Sequence, residues 1–228
     1  RCVAPNLRGY ERSSAPQDVK AYRAKHLVQD IVALIALESG PAPLAALIAH
    51  DWGGAVAWSL ANQHPERLRQ LVIVNSPHPG PFLKALQSDP AQQAASAYMN
   101  FLVQPDAAEQ LAANDFERLL GFLDGHDSEL PSLTQAPGAL SGEPARWLTP
   151  EVKERYRQTW RHGLQGGLNY YRASPLRPAT AQDPGASAVQ IPPEALHIGM
   201  PTLVLWAQDD IALLPCLTEG LAHHVPDL

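Results

Sequence analysis

Hydrophobic residues recur along this chain in runs whose length and spacing predict alternating strands and helices. Three short apolar runs have the length of buried strands: residues 44–49, 70–75 and 201–206. A run with helical periodicity, residues 22–37, precedes the first strand, and another helix is predicted from Gly53 to about His64. Strands that alternate with helices favour parallel pairing with crossover helices. The predicted fold class is therefore α/β, with a doubly wound, mostly parallel sheet.

Weaker signals lie at the two ends of the chain. Residues 1–4 are largely apolar and are expected to end a further strand, which runs into a Gly-containing turn. A last helix is predicted over about residues 215–223. The chain stops at residues 225–228, where another strand would be expected to begin.

Between about residues 79 and 193 the pattern changes from alternating strands and helices to helices with loops. The predicted helices are residues 90–102, 107–123 and 150–163, and the Pro- and Gly-rich joints are residues 131–144 and 174–193. We therefore expect a helical cap inserted between two strands of the sheet. The predicted division is a partial core at 1–78, the cap at 79–195 and a return to the core at 196–228.

One turn, at residues 49–54, organises the predicted core. It reads Ala-His-Asp-Trp-Gly-Gly, so that the carboxylate of Asp51 lies between small residues where a strand meets a helix. N–H groups at a helix start point outward, and small neighbours permit a tight turn. This is the pattern of the G-x-S-x-G nucleophile elbow with Asp in the central position. An Asp that only caps the helix would not explain Ala49 and the two glycines around it.

Composition and charge exclude several classes of partner. The 228 residues are 45% hydrophobic and 18% charged, enough for a sizeable core in one domain. No apolar stretch has the length of a membrane span, and a net charge of -6 without a basic run argues against nucleic acid and anionic membranes as partners. Cys2 and Cys216 lie at opposite ends without metal-ligand spacing. We expect free thiols, a cytoplasmic location, and no metal or cofactor.

Several segments together resemble the soluble epoxide hydrolases of the α/β-hydrolase superfamily. Around the elbow the sequence is His-Asp-Trp-Gly-Gly-Ala-Val-Ala-Trp, and the next strand ends in Asn-Ser-Pro-His-Pro. The cap contains Gly-Leu-Asn-Tyr-Tyr-Arg. Supporting segments are residues 5–10 and 203–210. The resemblance covers nearly the whole chain and implies an enzyme that opens epoxides to vicinal diols.

The resemblance also implies roles for individual residues. Asp51 would attack an sp³ carbon and form an alkyl ester on the enzyme, and Tyr171 and Tyr98 would donate to the ring oxygen, with Tyr170 as the competing tyrosine. Asp210, favoured over Asp209, would orient the histidine that activates water. The oxyanion and pocket group is Trp52, His50 and Pro79. His50 is expected to be structural, because it points away from the tip of the turn.

In two places the sequence departs from the family pattern. The general-base histidine would follow one more strand, on the order of 10 to 20 residues beyond Leu228. The His-Gly-x-Pro segment that supplies the other oxyanion donor is also absent. His223 and His224 are expected at the surface or at a helix end, and His78 beside the pocket. These departures predict an internal portion of a longer enzyme whose partners are a small epoxide and water, present as a monomer or homodimer.

Two alternatives remain open. A haloalkane dehalogenase would share the Asp-Trp elbow and hold halide with the ring N–H of Trp52, but it needs a Trp or Asn in place of the two tyrosines. A non-catalytic hydrolase-like protein would explain the missing base. Whichever function holds, we expect the sheet to lack neighbouring strands on both sides, which predicts exposed edges and poor stability for the isolated chain.

Overall fold

A parallel sheet of three short strands lies at the centre of the fold, in a computed structural model that describes residues 1–124 and 147–228. The strands are β1 (Leu47–His50), β2 (Leu71–Val74) and β3 (Thr202–Leu205). They lie in the order β1-β2-β3, and Leu71 is paired in parallel with Leu47 on one side and Thr202 on the other. The predicted parallel sheet is confirmed, and each strand begins within a few residues of its predicted start.

Two long helices and the sheet enclose the main hydrophobic cluster. The first helix, α1 (Ala24–Ser39), ends at Gly40, whose φ of +60° is a left-handed value that glycine adopts without strain. The second, α2 (Asp51–Gln63), follows β1 directly and buries Trp58. The indole N–H of Trp58 donates to the carbonyl of Ser76 at 3.1 Å, which ties this helix to the turn after β2.

The two faces of the sheet differ in what covers them. Leu71 and Ile73 point toward the main cluster, and both are buried. Because alternate strand residues point to opposite faces, Ile48, Leu203 and Leu205 share the other face. These three side chains, 69%, 54% and 48% exposed, form what we call the bare face of the sheet. Nothing in the described part of the chain buries them.

The described residues between β2 and β3 contain helices and loops but no strand, as the sequence predicted. The helices are α3 (Pro79–Ser88), α4 (Pro90–Ala95), α5 (Tyr98–Leu102), α6 (Ala107–Asp124), α7 (Pro150–Trp160) and α8 (Gln165–Ala173). The helix predicted over 90–102 is thus two helices, and α3 and α8 were not predicted. The joint predicted over 131–144 lies outside the described residues. The division of the chain at residues 78 and 195 stays a prediction.

A second hydrophobic cluster holds the cap against the segment that follows β3. Phe82 and Met99 from the cap helices pack there with Leu217 from the last part of the chain. Tyr98 and Tyr171 border this second cluster, whereas Trp52 borders the main one. The boundary between the two clusters therefore runs past the predicted catalytic residues.

Two of the predicted elements are wrong. Residues 1–4 form no strand, because their backbone does not join the hydrogen-bonded ladder of β1, β2 and β3. Residues 215–223 are not one helix but two short 3₁₀ helices, Pro215–Thr218 and Leu221–His223. Between them Gly220 has a φ of +71°, and a right-handed helix cannot continue through that left-handed conformation.

Several connecting segments of the chain form short 3₁₀ helices. Further 3₁₀ helices lie at Val19–Tyr22, Pro65–Arg67, Gly185–Ala188 and Pro193–Ala195. Both cysteines are unpaired, as predicted. Across residues 1–124 and 147–228, no helix combines the length and the hydrophobicity that crossing a membrane requires.

Candidate active site

The backbone at Asp51 is strained, as expected of a nucleophile elbow. Asp51 has a φ of +50°, a left-handed value that is uncommon for a residue with a side chain. The hydroxyl of Ser76, at the end of β2, donates to the Asp51 carbonyl at 2.7 Å. A Cβ on Gly54 would lie 2.3 Å from the Cβ of Ser76, so only glycine permits this close approach. Gly54 therefore lets α2 start tightly against the turn after β2.

Asp51 borders a cavity of about 330 Å³ that lies between the sheet and the cap. Its carboxylate accepts a hydrogen bond from the N–H of Trp52 at 2.5 Å. Among the described residues that line the cavity, Asp51 is the only one with a charged side chain. Although Asp51 remains exposed to solvent, the apolar walls remove much of the water around its carboxylate. That desolvation raises the pKa of Asp51, and the charge of Asp210 raises it further against the lowering effect of the Trp52 N–H.

Two tyrosines from the cap line the same cavity. Tyr98 begins α5 and Tyr171 lies in α8, and their ring centroids are 6.3 Å apart. Tyr171 also meets the indole of Trp52 edge to face at 5.0 Å. Burial of both hydroxyl groups raises the pKa of Tyr98 and of Tyr171 above the usual tyrosine value, and the nearby Asp51 charge acts in the same direction. Both side chains are therefore neutral hydrogen-bond donors at pH 7.

The competing tyrosine is engaged elsewhere. The ring of Tyr170 lines the cavity, but its hydroxyl donates to the carbonyl of Arg8 at 2.8 Å. Its ring packs against Trp52, with centroids 5.5 Å apart. A hydroxyl held in this way is a poorer candidate than that of Tyr171 for donation to a substrate.

Asp210 is held firmly beside the site. It follows β3 and accepts hydrogen bonds on Oδ1 from the N–H groups of Ala212 and Leu213, at 2.9 and 2.8 Å. Asn75, at the end of β2, donates from Nδ2 to Oδ2 of Asp210 at 2.7 Å and accepts from the Ala207 N–H at 2.7 Å. A carboxylate offers about four lone pairs, so these three donors leave one position on Oδ2 open.

None of the histidines in the described part of the chain lines the cavity. His50 does not line it, because alternation along β1 places its side chain on the bare face, where it is exposed. This corrects its assignment to the pocket, although the expectation of a structural role agrees with its position. Among the described residues that line the cavity there is no histidine.

His78 and His224 stack on each other, with ring centroids 4.8 Å apart. His78 is buried, and its Nδ1 accepts from the Gly80 N–H at 3.2 Å, which caps α3 rather than bordering the pocket as expected. Burial, with His224 adding to it, lowers the pKa of His78 to about 4. His223 and His224 lie at the end of the 3₁₀ helix Leu221–His223, as predicted, with His223 exposed and His224 half-buried because it covers His78.

A family model described as the alpha/beta hydrolase fold matches residues 1–227. The chain belongs to the alpha/beta hydrolase fold family.

Relatives in the α/β-hydrolase family include proteins named as epoxide hydrolases. The chain is 32% identical to the AB hydrolase superfamily protein YfhM of Bacillus subtilis, over all of this chain and 70% of that protein. It is 31% identical to Epoxide hydrolase 4 of Mus musculus, over 92% of this chain and 52% of the mouse protein. A crystal structure of a Bacillus megaterium epoxide hydrolase in complex with an inhibitor superposes with a TM-score of 0.77 and 26% identity, covering 97% of this chain and 72% of that one. The chain thus spans about half to three quarters of the length of these relatives.

Two polar residues of this α/β hydrolase had no role assigned from the sequence. Asn75 links the ends of β2 and β3 through Asp210, and Ser76 holds the Asp51 carbonyl. The available signal was their position, since polar side chains directly after a buried strand of a parallel sheet lie at the edge where ligands bind. The partners could not be read from the sequence, because Asn75 and Asp210 are 135 positions apart.

Proposed function

We propose that this chain carries out the ester-forming half of epoxide hydrolysis, with Asp51 as the nucleophile. One observation carries the proposal: Asp51, Tyr98 and Tyr171 line the same apolar cavity, a carboxylate from the core with two neutral phenols from the cap. Trp52 and Pro79 line it too. A carboxylate suits displacement at an sp³ carbon, and neutral donors suit an oxygen on which negative charge develops.

The proposed step forms one bond and breaks another at the same ring carbon of the epoxide. A carboxylate oxygen of Asp51 bonds to one ring carbon while the bond between that carbon and the ring oxygen breaks. The ring oxygen takes up a proton from Tyr98 or Tyr171, which is left as a phenolate until water returns the proton, and the other tyrosine keeps its hydrogen bond to that oxygen. The product is a hydroxyalkyl ester of Asp51. Its carbonyl oxygen lies within reach of the Trp52 N–H, which already donates to the carboxylate.

Release of the diol requires water and a general base. We propose, as the resemblance to the soluble epoxide hydrolases implies, that this base is a histidine outside these 228 residues; no histidine of residues 1–124 and 147–228 lines the cavity, and the matched relatives are longer. The open position on Oδ2 of Asp210 would accept a hydrogen bond from its imidazole and fix the tautomer. Attack of the activated water on the ester carbonyl would return Asp51 and release a vicinal diol. The proposed partners of the site are an epoxide and water, without a cofactor.

Intact-mass spectrometry after incubation with styrene oxide tests the first half-reaction. We expect one adduct of the mass of the epoxide, which peptide mapping places on Asp51. The Asp51→Asn variant should form none, because an amide is not a comparable nucleophile. An adduct that persists in Asp51→Asn, or a folded wild-type chain that no aliphatic or aryl epoxide alkylates, would contradict the proposal.

The tyrosine roles are tested by hydroxyl deletions that keep the rings. Tyr171→Phe and Tyr98→Phe should each slow adduct formation by about 100-fold, the usual size of a lost proton donor. Tyr170→Phe should slow it less, because that hydroxyl is engaged by the Arg8 carbonyl. Release of halide from a bromoalkane by the wild-type chain, lost in Trp52→Phe, would favour dehalogenation instead.

A further inference from the structure

The arginine that ends the Gly-Leu-Asn-Tyr-Tyr-Arg segment of the cap has no part in the proposed step. Arg172 directly follows Tyr171 in α8, and its side chain does not line the cavity. Successive side chains on a helix point about 100° apart. Tyr171 therefore faces the cavity while Arg172 faces other elements of the cap.

One side of α8 packs against α5 and α6. Leu168 of α8 is buried in a small hydrophobic cluster with Ala107 of α6, and Phe101 of α5 packs against that cluster. Arg172 lies four residues after Leu168, so its side chain leaves α8 on the same side. Apolar contact thus holds one turn of this side of α8, and Arg172 occupies the next turn, beside Tyr171.

The Arg172 guanidinium joins α8 to the chain just after α5. Its Nη2 donates to the carbonyl of Gln104 at 2.7 Å, two residues beyond the end of α5 at Leu102. Its Nη1 donates to Oδ1 of the buried Asn169, one turn earlier in α8, at 3.3 Å. A hydrogen bond of 2.7 Å from a charged donor is among the stronger ones in proteins. The guanidinium is therefore held between its own helix and the end of α5.

The two ends of this link carry the two cavity tyrosines. Tyr98 begins α5, and Tyr171 immediately precedes Arg172 in α8. Their rings meet at an angle of 74°. In the proposed step both hydroxyls act on one epoxide oxygen, so α5 and α8 must keep a fixed separation. A displacement of about 1 Å at a reacting group is enough to lower a rate by about 100-fold.

We propose that Arg172 is a positioning residue, which sets the separation of Tyr98 and Tyr171 through its hydrogen bond to the Gln104 carbonyl. This inference rests on the proposed function. Arg172 does not touch the epoxide, and its contribution reaches the reaction through the two hydroxyls. Lysine would supply the charge and one donor, but it lacks the planar fork that reaches Asn169 and the Gln104 carbonyl together.

The test measures the rate at which styrene oxide alkylates Asp51 as the epoxide concentration is raised. Intact-mass spectrometry gives the limiting rate and the concentration that produces half of it. We expect Arg172→Met, an unbranched side chain without a donor, to lower the limiting rate by about tenfold. The half-saturating concentration should stay within about twofold, because Arg172 does not line the cavity.

Two variants calibrate that result. Arg172→Lys should fall between the wild type and Arg172→Met in limiting rate, since it keeps one donor. Arg155→Met is the matched control, because Arg155 is an exposed arginine of α7 in the cap, and it should keep the wild-type rate. Thermal melting establishes that each variant is folded.

A double-mutant cycle separates positioning from a general effect on folding. If the link acts by fixing α5 against α8, its loss matters only while both hydroxyls are present. In a Tyr98→Phe background, Arg172→Met should therefore slow alkylation by about twofold or less. An equal slowing in both backgrounds, or an unchanged limiting rate in folded Arg172→Met, would overturn the inference.

Hydrogen–deuterium exchange distinguishes this inference from the proposed function, because it needs no epoxide. Arg172→Met should raise exchange at the amides of residues 98–104 and leave those of α1 unchanged. If no epoxide alkylates the wild type, the proposed function fails and the positioning role fails with it. If the wild type is alkylated but Arg172→Met changes neither the limiting rate nor the exchange, the inference fails alone. Faster exchange with an unchanged limiting rate would reduce Arg172 to a structural role and would also overturn the inference.

Discussion

Two aspartates at the same edge of the sheet have opposite surroundings. Asp51 has a left-handed backbone, one hydrogen bond from the adjacent Trp52 N–H, and a pKa raised by desolvation. Asp210 accepts from two backbone N–H groups and the amide of Asn75. Since the residue type is the same, the difference comes from what the chain places around each carboxylate. A single donor leaves most of the Asp51 carboxylate open toward the cavity, whereas three donors hold Asp210 in one orientation.

The largest effect on stability is expected from removing the acceptor at Asp210. Asp210→Ala leaves the N–H groups of Ala212 and Leu213 and the amide of Asn75 without their acceptor, at a cost of about 3 kcal/mol in the free energy of unfolding. Asp209→Ala is the matched control, because Asp209 is exposed, and should change stability by about 0.5 kcal/mol or less. Urea denaturation of both variants measures the difference. Equal effects would mean that the hydrogen bonds around Asp210 contribute nothing to folding.

A smaller loss is expected at Asn75, which supports Asp210 from β2. Asn75→Ala removes two hydrogen bonds and places alanine at a φ of +39°, so we expect destabilisation of about 2 kcal/mol. Asn75→Gly loses the same hydrogen bonds but relieves the backbone. In urea denaturation it should be less destabilised than Asn75→Ala by roughly 0.5 to 1 kcal/mol. If the two variants are equally stable, the conformation of Asn75 stores no strain.

The smallest effect, and of opposite sign, is expected at Asp51. Asn tolerates the left-handed conformation better than most residues and carries no charge, so Asp51→Asn should leave stability unchanged or raise it by up to about 1 kcal/mol. The experiment is the same urea titration at neutral pH. A clear destabilisation would show that the Asp51 carboxylate supports the fold, which would remove the contrast with Asp210.

The dependence of stability on pH gives a further test of the surroundings of Asp51. The pKa of Asp51 is higher in the folded chain than in the unfolded chain, so protonated Asp51 favours folding at low pH, and that contribution is lost as pH rises through the folded-state pKa. As pH rises from the unfolded-state to the folded-state pKa of Asp51, the melting temperature of Asp51→Asn should therefore increase relative to that of the wild type. The rate of Asp51 alkylation should rise over the same interval, because only the carboxylate attacks. A difference in melting temperature that is constant with pH would contradict the raised pKa.

The sequence predicted the turn at Asp51 and the three strands, because each depends on residues that are close together in the chain. The turn at Asp51 follows from small residues around a carboxylate between a strand and a helix, and the strands follow from apolar runs. The assignment of Asp51, Tyr98, Tyr171 and Asp210 to catalysis stays a prediction. The structure places the first three around one cavity and Asp210 at the neighbouring strand end.

Features that depend on distant residues could not be predicted. The stacking of His224 on His78 and the support of Asp210 by Asn75 join parts of the chain that are far apart in sequence. The prediction of one helix over residues 215–223 was wrong for a local reason. It was based on apolar periodicity alone, which takes no account of the left-handed conformation that Gly220 adopts.

The bare face of the sheet predicts that association of the chain in solution depends on temperature. Ile48, Leu203 and Leu205 expose apolar surface on this face, and no further strand of the described residues pairs with the outer edges of β1 and β3. Removal of such surface from water is driven by entropy near room temperature and weakens on cooling. We therefore expect particles measured by light scattering to grow when a solution of this chain is warmed from the cold. A charged side chain in place of Leu203 should suppress that growth, so storage temperature decides how long the chain remains dispersed.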